Sequence, residues 1–169
     1  VNGTLATSND AVVLGATTLG SATTINTNAS DTTGDITIGA VTGGSNSLTL
    51  SMGNNVANTD ITASGAISGV TTLTLADVGG TATLSADVDV TTLTVGSTVA
   101  NVAINGDGSS VTNAVSFAND GTLQLGDATG DTLTFNGGLT TTSVGSTVTL
   151  NGTINASDDA ITLGAVTLG

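Results

Sequence analysis

The sequence predicts an all-β chain folded as a parallel β-solenoid of about eight coils, with about 21 residues in each coil. Three observations lead to this prediction. Thr and Val are abundant while Glu, Lys and Arg are absent, which favours strands over helices. Clusters of Gly, Asn and Asp punctuate the chain about every ten residues. The third observation is a long internal repeat, which is typical of solenoids.

The repeat consists of two similar segments, one at each end of the sequence. Residues 2–20, NGTLATSNDAVVLGATTLG, match residues 151–169, NGTINASDDAITLGAVTLG, at an offset of 149, and twelve of the nineteen positions are identical. We therefore expect a single solenoid segment over residues 1–169, built on a 149-residue repeat of seven coils whose eighth coil repeats the first. Neither end resembles the natural terminus of a gene product, so we expect a processed chain or a part of a longer one.

A short signature, in which a small polar residue lies between two apolar ones, recurs along the chain. Because side chains alternate across a strand, the flanking residues should face the interior and the central residue the solvent. Stacking equivalent segments in columns produces a parallel solenoid. The first set of segments is 12–14, 36–38, 61–63, 82–84, 102–104, 123–125, 139–141 and 161–163. The second set is 48–50, 73–75, 93–95, 115–117, 133–135 and 148–150, and a third strand per coil is expected in stretches such as 16–19.

An antiparallel β-sandwich is the alternative fold, because it also contains short strands at intervals of about 8–12 residues. It does not account for the same signature in successive strands, or for the return to the opening motif. The solenoid is therefore favoured.

The composition excludes several classes of function. The chain contains thirteen Asp residues and no Lys or Arg, which gives a net charge of −13 and argues against binding to nucleic acid or to anionic membranes. No apolar run is long enough for direct insertion into a membrane. Without His, Cys, Lys, Glu or Tyr the chain lacks the usual nucleophile and base pairs, so we expect no enzymatic activity and no cofactor.

Calcium is the one ligand that the composition favours, because carboxylate and carbonyl oxygens are its preferred ligands. The segment Gly126–Leu133 is similar to half of a calcium-binding nonapeptide repeat, but its spacing is shorter and neighbouring coils do not repeat it. The alternative is that these aspartates form turns through their own backbone. The residues predicted for a weak calcium site are Asp107, Asp127, Asp131, Asp158 and Asp159.

Outward threonines in the second strand set predict two adjacent columns of hydroxyl groups along one face. Such arrays resemble the flat faces of β-helical ice-binding proteins. The alternative is that Thr is simply a favoured outward residue of strands. The columns contain Thr49, Thr72, Thr74, Thr92, Thr94, Thr132, Thr134, Thr147 and Thr149.

The stretches FANDGTLQLGDATGDTLTFNGGLTTT and DDAITLGAVTLG resemble the repeat regions of very large bacterial surface exoproteins, the filamentous-haemagglutinin-like adhesins and autotransporter passenger domains. The similarity extends over the whole chain and consists of shared general features, namely Thr-Leu-Thr strands, Gly-Asp and Asn-Gly turns, and almost no cations. It implies export, a right-handed parallel β-helix and a role in adhesion or in extracellular filaments. No catalytic residue is implied.

These observations give a functional hypothesis. We expect a structural, extracellular or cell-surface protein that forms a fibre or an adhesin stalk, with itself as the partner, by head-to-tail stacking or covalent tandem repeats. A binding module, either ice-binding or a calcium-dependent adhesin, is the alternative. The predicted assembly interface contains Asn2, Asp10, Ala11, Leu14 and Leu19 in the first coil and Asn151, Asp159, Ala160, Leu163 and Leu168 in the last.

Overall fold

The structure, a computed structural model that describes all 169 residues, contains strands and turns and no helix. Seventeen of the twenty strands have only two to four residues, because turns rich in Gly, Asn and Asp interrupt the chain. The twenty strands are β1 Gly3–Ala6, β2 Val12–Leu14, β3 Thr17–Thr18, β4 Thr23–Asn26, β5 Ile36–Ile38, β6 Val41–Ser51, β7 Ile61–Ala63, β8 Ile67–Ala76, β9 Thr81–Leu84, β10 Val88–Val95, β11 Asn101–Ile104, β12 Ser110–Val111, β13 Val115–Ser116, β14 Leu123–Leu125, β15 Thr132–Phe135, β16 Leu139–Thr140, β17 Val148–Leu150, β18 Thr153–Asn155, β19 Ile161–Thr162 and β20 Val166–Leu168.

All seventeen strand pairings are parallel, which confirms the predicted all-β parallel solenoid. The alternative prediction of an antiparallel β-sandwich is therefore wrong. The eight strands of the second sheet correspond to eight successive coils. Equivalent residues in neighbouring coils are between 18 positions apart, from Val148 to Val166, and 26 positions apart, from Val41 to Ile67.

Each full coil has three faces, which the chain visits in the order face 3, face 1, face 2. Face 1 is the eight-stranded sheet β2-β5-β7-β9-β11-β14-β17-β20. Face 2 contains β3, β12, β15 and β18, and face 3 contains β1, β4, β13, β16 and β19. Strands β6, β8 and β10 run through the corner between faces 2 and 3. The strand register shifts at this corner, between Thr42 and Leu48 and between Asp89 and Val90.

The interior is a stack of apolar columns. On face 1 the central residue of each strand faces outward and its two apolar neighbours face inward, as the alternation of strand side chains requires. The buried apolar residues form one continuous cluster of 35. One inward column of face 1 contains Leu14, Ile38, Ala63, Leu84, Ile104, Leu125, Leu150 and Leu168.

The long repeat does not return to the face on which it began. In residues 2–20 the strands β1, β2 and β3 lie on faces 3, 1 and 2, whereas in residues 151–169 the strands β18, β19 and β20 lie on faces 2, 3 and 1. The expectation that the eighth coil repeats the first in the same columns is therefore wrong. The 149-residue repeat is one face short of seven coils.

The wrong assignment of segments to faces has a physical cause. The apolar-polar-apolar signature is the same on all three faces, so the sequence does not say which face a segment occupies. Leu139 follows Leu123 by 16 residues, which is less than one coil, and the predicted column changes face at this point. Segments 139–141 and 161–163 consequently begin on face 3, while Val148–Leu150 continues face 1.

Candidate functional site

The C-terminal coil leaves the apolar interior open at its end. Leu168 lies in register with Leu150, which lies in register with Leu125 in the same inward column. Leu125 is fully buried, but Leu168 is 79% exposed because no coil covers it. Ile161 and Leu163, on face 3 of the same coil, are 39% and 37% exposed. An apolar surface of this kind favours contact with another apolar surface.

Both ends of the solenoid also present unpaired strand edges. Strands β1 and β2 lie at one end of their sheets, and β18, β19 and β20 lie at the other end. An open edge offers a row of backbone N–H and C=O groups to another strand. The same coil thus combines unpaired hydrogen-bonding groups with exposed apolar side chains.

The residues predicted for the assembly interface lie at these two ends, and the structure does not bring the two groups together within one chain. In the N-terminal coil Leu19 is only 3% exposed and Leu14 is half-buried. In the C-terminal coil Leu163 and Leu168 are exposed and Asn151 is half-buried. The remaining predicted residues, all exposed, are Asn2, Asp10, Ala11, Asp159 and Ala160.

The two copies of the motif close their coils in the same way. The backbone N–H of Gly20 donates to the carbonyl oxygen of Val1 at 3.0 Å, and that of Gly169 donates to the carbonyl oxygen of Leu150 at 3.0 Å. These two hydrogen bonds are related by the 149-residue offset. The motif therefore forms the same coil although its strands lie on different faces.

The predicted threonine columns are partly present. On face 3, Thr24, Thr49, Thr74 and Thr94 lie in register in four successive coils. Thr4 extends this column by one coil at the N-terminal end, and neither Thr4 nor Thr24 was predicted from the sequence. Thr72 and Thr92 lie in register in the adjacent column.

The prediction that both columns continue along one face is wrong. The Nδ2 of Asn113 donates to Oγ1 of Thr92 at 2.9 Å, so an amide takes the next place in that column. Beyond this point the predicted residues lie on other faces. Thr132 and Thr134 belong to face 2, and Thr147 and Thr149 belong to or adjoin face 1.

The predicted calcium residues form turns rather than one cluster. Oδ2 of Asp131 accepts hydrogen bonds from the backbone N–H groups of Asp127 and Ala128 at 2.8 and 2.9 Å. These bonds lower the pKa of the Asp131 carboxyl from its ordinary value, although burial acts in the opposite direction. Oδ1 of Asp107 accepts from the N–H of Thr132 at 3.0 Å.

Asp158 and Asp159 lie on the exposed C-terminal coil, away from that loop. No three of the aspartates of the chain come together as ligands for one ion. Asp107 and Asp131 instead satisfy backbone donors, which lie in the next coil for Asp107 and within the same turn for Asp131.

A second acidic loop was not predicted from the sequence. Oδ1 of Asp31 accepts from the hydroxyl of Thr33 at 2.7 Å and from its N–H at 2.9 Å. These bonds, with a smaller contribution from Asn9, lower the pKa of Asp31. Asn9 lies in the coil below, where its Oδ1 accepts from the N–H of Ser30 at 2.6 Å. The Asp-x-Thr spacing is the signal that could have identified this turn.

A groove follows the corner between faces 2 and 3. Its polar lining consists mainly of hydroxyl groups with one carboxylate, that of Asp89. Asp89 is the only ionisable residue that lines the groove. The residues with hydroxyl groups are Ser45, Thr71, Thr91, Ser110 and Thr112.

The fold defines the class of protein as a parallel β-solenoid. Comparison with protein families, with characterised proteins and with solved structures finds no significant match. The chain contains no helix long and apolar enough to cross a membrane.

Proposed function

We propose that the protein is a structural β-solenoid that forms an extracellular surface fibre or the stalk of an adhesin, through head-to-tail or tandem stacking of its coils. The observation that supports this proposal is the open C-terminal coil, where Leu168 continues an inward apolar column and remains 79% exposed. Burying a leucine side chain of this kind contributes about 1.5–3 kcal/mol. A second copy supplies the matching edge and the matching apolar column.

The same architecture suits a mechanical role. Parallel hydrogen-bond ladders join neighbouring coils along the solenoid, so tension along the axis is shared by three faces. The surface carries hydroxyl groups and aspartates without any cation, which keeps it hydrated and disfavours side-to-side association. The lack of Lys and Arg also leaves trypsin without a cleavage site, a useful property outside the cell.

The test compares an exposed residue at the open end with an exposed residue in the middle of the solenoid. Leu168 is 79% exposed at the open end, whereas Ser85 is exposed directly after β9, the fourth of the eight strands of face 1. We expect Leu168→Asp to abolish end-to-end assembly and Ser85→Asp to leave it intact, as measured by sedimentation velocity and electron microscopy. Equal loss in both variants, or a wild-type chain that stays monomeric at high concentration, would contradict the proposal.

Salt provides an independent measurement. Stacking brings together two end coils whose charged side chains are all aspartates, including Asp10 on one and Asp159 on the other. The Debye length falls from about 30 Å at 0.01 M salt to about 8 Å at 0.15 M. Assembly should therefore increase with salt concentration, and a decrease would argue against contact between the two ends.

A second candidate function, ice binding, is favoured by one observation. Thr24, Thr49, Thr74 and Thr94 form a regular outward column on face 3. Thermal hysteresis of the Leu168→Asp variant, in which assembly is blocked, measures this activity directly. A positive value that Thr74→Lys removes would favour the binding module over the fibre.

A further inference from the structure

We propose that two copies of the chain stack with a rotation of one face, so that residues 3–20 of one copy lie on residues 152–169 of the other. In this arrangement β1 lies on β18, β2 on β19 and β3 on β20. The inference rests on the proposed assembly and specifies its geometry. The partner is a second copy of the chain, and the rotation is about one third of a turn because the coil has three faces.

The repeated motif does not depend on any particular face of the solenoid. The two copies begin on face 3 and on face 2, yet both close their coils through the equivalent hydrogen bonds of Gly20 and Gly169. Each copy of the motif therefore forms a coil that fits the solenoid whether it begins on face 3 or on face 2. A rotated second copy must displace only Val1 and Asn2, because Leu168 and Gly169 of the first copy already occupy the places above Leu150 and Asn151.

The apolar columns of the two ends also match under this rotation. Rotation places each inward residue of one copy on its own equivalent in the other, at the offset of 149. Strands with identical inward and outward patterns pair without a register shift. The matched pairs are Leu5 with Ile154, Val12 with Ile161, Leu14 with Leu163 and Leu19 with Leu168.

Each end of the solenoid has a step that the rotation fills. A coil rises by about 4.8 Å per turn, so β18, the first strand of the last coil, lies lower than β19 and β20. With rotation, β1 occupies the position directly above β18, and β2 and β3 follow above β19 and β20.

Without rotation the step is not filled. In that arrangement β1 lies on β19 and β2 on β20, so that β3 reaches face 2 about two strand spacings above β18. One strand is missing on face 2, and the backbone groups on both sides of the gap lose their partners. The unrotated stack is therefore disfavoured although Leu14 would still meet Leu168.

Disulfide trapping distinguishes the two arrangements, because the chain has no cysteine of its own. Val13, Thr162 and Thr167 are all exposed, and each is the outward residue of its strand. The rotated stack places Val13 beside Thr162 of the other copy, whereas the unrotated stack places it beside Thr167. Adjacent strands bring their Cα atoms within the range of about 4.4–6.8 Å that a disulfide requires.

The experiment compares two double variants, V13C/T162C and V13C/T167C, after mild oxidation and electrophoresis without reductant. We expect a ladder of covalent oligomers from V13C/T162C and none from V13C/T167C, with V13C alone as the control for lateral contacts. The reverse pattern, or large assemblies with no ladder from either variant, overturns the rotation while leaving the proposed fibre. A chain that does not assemble at all overturns the fibre and the rotation together.

Discussion

Phe117 packs edge-on against Phe135, with ring centroids 6.3 Å apart and ring planes at 86°. Both rings are buried, and they are the only aromatic side chains of the chain. Phe135 ends β15 on face 2, while Phe117 follows β13 on face 3. The pair therefore fills the interior between two faces at a place where every other coil relies on aliphatic side chains.

Replacing Phe117 with alanine should destabilise the protein by about 3–5 kcal/mol, because the solenoid cannot close around so large a cavity. Phe117→Leu keeps most of the volume and should cost less. Urea unfolding in the Leu168→Asp background measures the loss without a contribution from assembly. A loss below about 1 kcal/mol for the alanine variant would show that the neighbouring coils collapse into the cavity.

Glycines allow the backbones of successive coils to approach closely. A Cβ built on Gly79 would lie against the backbone carbonyl of Val56 in the coil below, whereas a Cβ on Gly130 meets nothing within 4 Å. Gly79→Ala should therefore cost about 1–3 kcal/mol, as overpacking does, and Gly130→Ala should leave the free energy of unfolding nearly unchanged. Equal effects of the two substitutions would contradict a steric cause.

The fold class could be predicted from the sequence because one physical rule, the alternation of side chains across a strand, repeats along the whole chain. The signature assigns six successive segments, from Val12–Leu14 to Leu123–Leu125, to one column, and all six lie on face 1. The assignment fails after Leu125, because segment 139–141 is predicted as the next member of the column but lies on face 3, and Val148–Leu150 continues face 1. The face that a segment occupies depends on the turns between strands, and the pattern of apolar residues does not determine the geometry of those turns.

The candidate site was predictable only in part, for a related reason. The repeat predicts that Leu168 is an inward residue, because it is equivalent to Leu19, which is buried. Leu168 is exposed because it lies on the last coil and Leu19 does not. The threonine columns require the correct face for each strand, so the prediction is correct for Thr49, Thr74 and Thr94 but wrong for Thr134 and Thr149. The rotation between the two motif copies could not be predicted, because it depends on the three-dimensional path of all the coils between them.

The carboxyl group of Asp131 should give the stability a specific pH dependence. Because its pKa is lowered in the folded state by the N–H groups of Asp127 and Ala128, its contribution is present above the ordinary pKa of about 3.9 and is lost as the pH falls through the lower, folded value. Unfolding measured between neutral and strongly acidic pH should show a smaller loss for Asp131→Ala than for the wild type. The measurement is made in the Leu168→Asp background, so that assembly does not contribute to the free energy of unfolding, and equal losses in the two proteins would contradict this role of Asp131.

Asp60 connects three successive coils at the turn before face 1. Its backbone N–H donates to Oδ1 of Asp35 at 2.8 Å, and its own Oδ1 accepts from the N–H of Thr81 at 2.7 Å. Two coils further along, Asn101 accepts from the N–H of Thr122 in the same way, at 2.9 Å. An amide oxygen is thus a sufficient acceptor at this turn.

We therefore expect Asp60→Ala to reduce stability by about 1 kcal/mol, the usual contribution of one such hydrogen bond, while Asp60→Asn retains most of it. Hydrogen exchange provides the local measurement, since the amide of Thr81 should lose protection in the alanine variant and keep it in the asparagine variant. Loss of protection in both variants would mean that the negative charge of Asp60, and not its role as an acceptor, holds this turn. Because Asp60→Asn also removes one negative charge from a chain without cations, any stabilisation beyond the wild type would measure the repulsion among the stacked aspartates.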